Sequence, residues 1–229
     1  MFVSVIIAAA GNSTRYGTGK SKQFLILDNT PVLIKSIQAF EAIDDVKEII
    51  VTARKQDFDI IEDFIAQYGV CKVKHIVEGG ATRQDSIYAA VEKVDEEADL
   101  IAVHDGARPL IKRKVIESVI QKADEVDAAA CAVPVKDTIK IIDSSGKIVT
   151  TPERASLRAV QTPQIFRFSL YKEAIEKAVS EGKQYTDDCQ LVESMGYPIY
   201  LVDGDYENIK ITTPDDLLVA AKFLSERRK

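Results

Sequence analysis

The residues best suited to chemistry begin close to the N-terminus. Ala8, Ala9, Ala10 and Gly11 end an apolar run, Gly17 and Gly19 follow, and Arg15, Lys20 and Lys22 stand among and just after them. Small residues let a ligand lie against the backbone, and the glycines permit turns that aim several N–H groups at an anion. The plainer reading is a solvated loop with ordinary surface cations. Its place after the first strand of an α/β pattern favours a nucleotide. The dinucleotide pattern G-x-G-x-x-G fails, because Ser13 occupies the second glycine position. The phosphate-loop pattern G-x-x-x-x-G-K-[ST] is nearly met from Thr14 to Ser21, but its first glycine is missing, and Leu25 to Pro31 inserts a turn where a helix should follow. With Leu100 to Asp105 as a second phosphate-loop strand, a P-loop kinase stands as the second reading.

Two later clusters carry further polar chemistry. Gly79-Gly80-Ala81-Thr82-Arg83-Gln84-Asp85-Ser86 opens a helix, with Thr82 suited to cap it and Asp85 three residues on. The paired glycines would also let a ligand approach the helix N-terminus, with Ser86 in hydrogen-bonding reach. His104-Asp105-Gly106-Ala107-Arg108-Pro109 closes another strand and places an exposed carboxylate at its carboxyl end, suited to Mg²⁺ held by one carboxylate plus phosphate oxygens. Arg108 suits a phosphate, or a salt bridge to Asp105. His104 reads as a hydrogen-bonded structural histidine, since no Ser or Cys nucleophile accompanies it.

These residues need elements to hold them. Short apolar runs at Val3–Ala9, Glu48–Ala53, Val73–Val77, Leu100–Val103, Ala128–Val133 and Ile199–Val202 read as strands buried on both faces. Helical spacing fills Pro31–Phe40, Asp57–Tyr68, Thr82–Val94, Lys112–Ala123, Leu170–Val179 and Pro214–Arg227. The alternation implies right-handed crossovers, a mainly parallel sheet, and ligand sites at the carboxyl ends of its strands. It breaks between Pro134 and Gln161, where Ile139–Ile142 and Ile148–Thr150 flank a Ser144-Ser145-Gly146 turn and read as a hairpin. A two-stranded ribbon is marginal alone, so this arm is expected to pack on a partner subunit.

Composition excludes several classes. The chain has 229 residues, 46% hydrophobic and 29% charged, which suits one sizeable packed core and excludes disorder and coiled coil. A net charge of −6 disfavours nucleic acid as a partner. The apolar opening is too short to span a membrane and lacks a basic flank, so no membrane association and a cytoplasmic location are expected. Cys71, Cys131 and Cys189 lie far apart and read as core thiols in a reducing compartment.

Taken together, the Ala8–Gly11 loop with Arg15 and Lys22-Gln23-Phe24, the Gly79–Ser86 stretch and His104–Pro109 resemble the cytidylyltransferase family that acts on sugar-alcohol phosphates. Pro134–Lys140, Gln161–Phe166, Thr186–Asp188 and Asn208–Leu217 continue the resemblance in order and spacing across essentially the whole chain. The arm sequence Val135-Lys136-Asp137-Thr138-Ile139-Lys140 favours the methylerythritol-phosphate branch over the ribitol-phosphate one.

The resemblance implies a doubly wound, mainly parallel, Rossmann-like α/β domain over residues 1–229, with a protruding β-hairpin arm at about 134–160 that forms a homodimer. It implies CTP and a sugar-alcohol phosphate as substrates and Mg²⁺ as cofactor. It places Arg15, Lys22, Arg154 and Lys210 in catalysis. Ala8, Ala9, Ala10, Gly11, Gly17, Lys22, Gly80 and Ser86 would bind CTP. Asp105, Arg108, Thr138, Arg154, Thr186 and Lys210 would bind the second substrate, with Asp105 also at the metal. Ser13, Tyr16, Ser21 and Ala81 depart from the family's usual residues. Retention of the charged set argues against a module that senses CTP without turnover.

Overall fold

The computed structural model describes residues 1–11 and 22–227. Arg15, Gly17 and the near-match to a phosphate loop therefore lie outside the described residues, as does the Lys22 side chain. In chain order the elements are β1 (Val3–Ala8), β2 (Ile26–Leu27), β3 (Thr30–Pro31), α1 (Val32–Glu41), β4 (Val46–Ala53), α2 (Phe58–Tyr68), β5 (Val73–Glu78), α3 (Arg83–Val91) and β6 (Leu100–Asp105). There follow α4 (Arg113–Val126), β7 (Ala128–Pro134), β8 (Ile141–Ile142), β9 (Ile148–Thr150), β10 (Arg158–Arg167), α5 (Phe168–Ser180), α6 (Asp188–Glu193), β11 (Tyr200–Asp203) and α7 (Pro214–Arg227).

The central sheet has the order β11-β7-β10-β6-β1-β4-β5, and β10 alone runs against its neighbours. Its interior strands are apolar on both faces because helices cover both. Val5 and Ile7 pack with Ile34, Ile37 and Ile116 from α1 and α4, whereas Ile6 packs with Ile87, Tyr171 and Ile175 from α3 and α5. A third cluster joins Leu27, Val32, Leu110, Ile211 and Ala220, seating α7 beside the β2–β3 turn. That turn has positive φ at Asp28 and Asn29, as a tight type I′ hairpin requires. No helix among the described residues is long and apolar enough to cross a membrane.

Three expectations need correction. Strand β10 is absent from the strands read in the sequence, and it carries Pro163, a residue disfavoured in a central strand. The ladder to β7 loses its register between Val160 and Gln164, and Pro163 sits in that irregularity, where its missing N–H breaks no pairing. The segments at Val73–Val77 and Ile199–Val202 do form strands, but as β5 and β11 they are the sheet's two edges and are largely exposed rather than buried on both faces. Cys131 and Cys189 are buried free thiols, as expected, whereas Cys71 is exposed.

The arm leaves the sheet after β7 and returns at β10, where Arg158 pairs with Pro134. Its β8–β9 hairpin turns on Asp143, whose carboxylate accepts from the Ser145 and Lys147 amides. Ile141, Ile142, Ile148 and Val149 are each at least half exposed.

Candidate active site

Sheet order reverses direction at β1, with β4 on one side and β6 on the other, and there the carboxyl ends of β1 and β6 lie side by side. Ala8 is in register with Asp105. A cavity of ≈ 200 Å³ opens at this point, the place where open α/β sheets bind ligands. Ala8, Ala10 and Gly11 line one wall, Gly80, Ala81, Thr82, Arg83 and Ser86 another, and Asp105, Ala107 and Lys210 a third.

The small residues have packing reasons as well as a ligand-binding one. A Cβ at Gly79 would run into Ala10 Cβ and Ser86 Oγ, and one at Gly80 into Asp85. The strand-to-helix turn therefore closes only with glycine in both places. Ala9 is buried behind the wall; its carbonyl accepts from Gln23 Nε2 and its N–H donates to the Thr52 carbonyl. Thr82 caps α3 in a complete capping box with Asp85, as the spacing predicts. The Ser86 hydroxyl donates to the Thr82 carbonyl at 2.8 Å and accepts from Gly80 N–H at 3.0 Å, so its proton is already committed and it meets a ligand as an acceptor.

Charge converges on Asp105. Rather than standing exposed, it is only 6% accessible, with Lys210 Nζ at 2.9 Å, Arg108 Nε at 3.4 Å and Arg83 Nε at 3.7 Å. Burial alone would raise its pKa, but the three cations, Lys210 foremost, hold the carboxyl well below the usual carboxylate range. Arg83 also reaches Asp188 at 2.7 Å, and Asp188 accepts from the Tyr171 hydroxyl at 2.6 Å. Burial opposes charge on Arg83, yet Asp188 and Asp105 together keep it firmly protonated. His104 is structural, as expected. It is fully buried, its Nδ1 lies 3.0 Å from Thr162 Oγ1 and its Nε2 3.2 Å from the Arg108 carbonyl, and burial pushes its pKa down to about 4.

Lys210 reaches the site on a loop pinned from several sides. Ile211 N–H donates to the Ala107 carbonyl, Arg108 Nη1 donates to the Asn208 carbonyl at 2.7 Å, and the buried Asn208 Nδ2 donates to the Thr162 carbonyl. Among the described residues, five named from sequence do not line the cavity within this chain: Ala9, buried behind its wall, and four others. Arg108 supports its floor, Thr138 and Arg154 stand exposed on the arm, with Arg154 Nη1 on the Lys136 carbonyl, and Thr186 is exposed before α6, its hydroxyl on Gln190. Sequence reasoning missed Gln23, Thr52 and Arg83 as site residues. Arg83 had a signal, being the one cation in the capped glycine turn; Thr52, in the middle of an apolar run, had none.

The phosphate-loop kinase reading fails on architecture. A helical turn at Lys22–Phe24 and the β2–β3 hairpin intervene before α1, where a phosphate loop would run straight into its helix.

The family model for 2-C-methyl-D-erythritol 4-phosphate cytidylyltransferase matches residues 3–226. The chain belongs to this family. The family makes it a nucleotidyltransferase. The cytidylyltransferase of that name from Caldanaerobacter subterraneus is 46% identical over 225 residues, covering 98% of this chain and 99% of the relative. The one from Bacillus cytotoxicus is 43% identical over 226 residues, with 99% of each covered. Among solved structures, the 4-diphosphocytidyl-2C-methyl-D-erythritol synthase of Anaerococcus prevotii superposes with a TM-score of 0.88 at 32% identity, covering 98% of both chains. The Thermus thermophilus cytidylyltransferase gives 0.79 at 32%, covering 98% of this chain and 100% of that one. The resemblance read from the motifs, the doubly wound fold and the methylerythritol branch of the family all agree with these matches.

Proposed function

We propose that this cytidylyltransferase joins CTP to 2-C-methyl-D-erythritol 4-phosphate, giving 4-diphosphocytidyl-2-C-methyl-D-erythritol and pyrophosphate. The observation that carries the reading is the triad of Lys210, Arg83 and Arg108 gathered on Asp105 at the mouth of a cavity walled by Ala8, Ala10, Gly11 and Gly80. In the reaction a 4-phosphate oxygen attacks the α-phosphorus of CTP and the bond to the pyrophosphate oxygen breaks. Negative charge grows on the non-bridging oxygens, and fixed cations there favour the transition state over the ground state. Arg15 and Lys22 take that role on the nucleotide side, and Lys210 and Arg154 on the side of the attacking phosphate. The backbone of Ala8–Gly11, with Gly17, Gly80 and Ser86, holds the nucleotide. Asp105, Arg108, Thr138 and Thr186 orient the second substrate.

The residues present fit Mg²⁺ as cofactor. Asp105 is an ionised carboxylate at the cavity, and among the described residues no three His, Cys, Asp or Glu side chains cluster into a protein cage. One carboxylate plus phosphate oxygens is the usual magnesium arrangement, so Asp105 would hold the ion together with the nucleotide, where it would offset triphosphate charge.

The arm's exposed Ile141, Ile142, Ile148 and Val149 support a homodimer in which Thr138 and Arg154 serve the neighbouring subunit's cavity. Three free cysteines, two of them buried, suit a reducing cytoplasm.

A pyrophosphate-release assay with each nucleoside triphosphate against methylerythritol and ribitol phosphates tests the reading. Release is expected with CTP and methylerythritol phosphate only. Release with ribitol phosphate instead would move the chain to the sister activity, and release with neither would refute the proposal.

A further inference from the structure

Successive residues at the entry of α3 reach across to the segment 183–188. Gln84 is 7% exposed, and its side-chain amide is spent on that segment's backbone: Nε2 donates to the Lys183 carbonyl at 2.8 Å, and Oε1 accepts from Tyr185 N–H at 3.0 Å. A primary amide that pairs at once with a carbonyl and an N–H two residues apart imitates one rung of a strand ladder. On one side of it, Thr82 Oγ1 donates to Gln184 Oε1 at 3.1 Å, and Gln184 Nε2 reaches back to Asp85 at 3.4 Å. On the other, Arg83 holds Asp188 at 2.7 Å. The segment's ends are fixed elsewhere. Lys183 N–H donates to the Ala178 carbonyl at the end of α5, and Thr186 is held by Gln190.

The same helix entry forms a wall of the cavity through Gly80, Thr82 and Ser86, while the segment it grips carries Thr186. We propose that Gln84 is a positioning residue that mounts the 183–188 segment on the nucleotide wall, so that occupancy of that wall by CTP and the placement of Thr186 for the phosphate substrate are coupled. This rests on the cytidylyltransferase reading above. Gln84 itself touches neither substrate; it acts by fixing the backbone on either side of Gln184. Its type is not replaceable by a merely polar residue, because the site needs one donor and one acceptor in a single plane.

The test compares the full-length wild type with Gln84→Met, which keeps the length and loses both hydrogen bonds, and with Gln84→Glu, which keeps the acceptor for Tyr185 and loses the donor for Lys183. KM for 2-C-methyl-D-erythritol 4-phosphate is expected to rise about 10-fold in Gln84→Met, the effect of losing one to two neutral hydrogen bonds. The Kd for CTP with Mg²⁺, measured by calorimetry without the second substrate, should stay within about twofold. Amide hydrogen exchange over 183–186 should accelerate in the ligand-free variant, and the protection CTP confers there in the wild type should be lost. Gln84→Glu should fall between, and it decides with the same readouts if Gln84→Met fails to fold by circular dichroism. An unchanged KM, unchanged exchange over 183–186, or an equal rise in KM and in the CTP Kd would overturn the role of Gln84. Absence of turnover in the wild type would instead overturn the functional reading, so the two failures are distinguishable.

Discussion

Burial normally drives a carboxylate toward its neutral form, but Asp105 is buried and held ionised because Lys210, Arg83 and Arg108 surround it. One anion thus holds three cations in place, and the carboxylate proposed for metal and substrate is at the same time the counter-charge of the site. Asp105→Asn should therefore do two things. Turnover should fall by about 10² to 10³, the usual cost of disordering a charge-stabilising site. Stability should fall by about 2 kcal/mol, a Tm drop of roughly 4–8 °C, less than for a fully buried pair because Lys210 and Arg83 can still reach water. Steady-state kinetics and a thermal melt check both. A variant with full turnover at saturating Mg²⁺ would remove Asp105 from the reaction, and an unchanged Tm would mean that the cations do not depend on it.

At the scale of elements, β10 and the arm decide how the site is assembled. Strand β10 enters the sheet between β6 and β7 and brings Thr162 beneath Asp105, where its hydroxyl accepts from Asp105 N–H at 3.1 Å. The arm between β7 and β10 carries Thr138 and Arg154 away from the body, with an apolar hairpin that its own chain leaves uncovered. If two arms cross between subunits, each cavity draws Lys22 from one chain and Arg154 from the other. Lys22→Ala and Arg154→Ala should then each be nearly inactive, while refolding them together in equal amounts should restore about one quarter of wild-type activity. Half of randomly paired dimers are mixed, and one of their two sites is intact. Sedimentation as a monomer, or inactivity of verified mixed dimers, would rule out the shared site.

The whole molecule should be acid-sensitive in a window set by His104. Its pKa falls from an ordinary value near 6.5 to about 4 in the folded chain, because burial disfavours the imidazolium. Between those values the unfolded chain binds a proton that the folded one refuses, so stability is lost as pH falls from about 6.5 to about 4, by about 3 kcal/mol in all. Asp105, whose pKa is depressed, adds its own loss only below its ordinary value of 3.8. Denaturant midpoints measured from pH 7 to pH 4 should therefore slope downward in the wild type and run flatter in His104→Gln. Parallel slopes in the two proteins would show that another group governs the window.

The sequence by itself determined the alternation of strands and helices, the capped glycine turn at Gly79–Ser86, the β8–β9 hairpin, and the small residues Ala8, Ala10, Gly11 and Gly80 that wall the cavity with Ser86. These are local signals: apolar period, a capping box, paired glycines, a hairpin turn. Those signals did not place Asp105 and Lys210 in one site; only the resemblance did, since they stand 105 positions apart in the chain and no local rule brings them to 2.9 Å. Tertiary structure alone decided that Asp105 is buried, that Arg83 bridges it to Asp188, that Pro163 lies in a central strand, and that β5 and β11 are edges. Each of these depends on which strands become neighbours, and sheet order is settled by the burial of whole faces rather than by any single segment's residues.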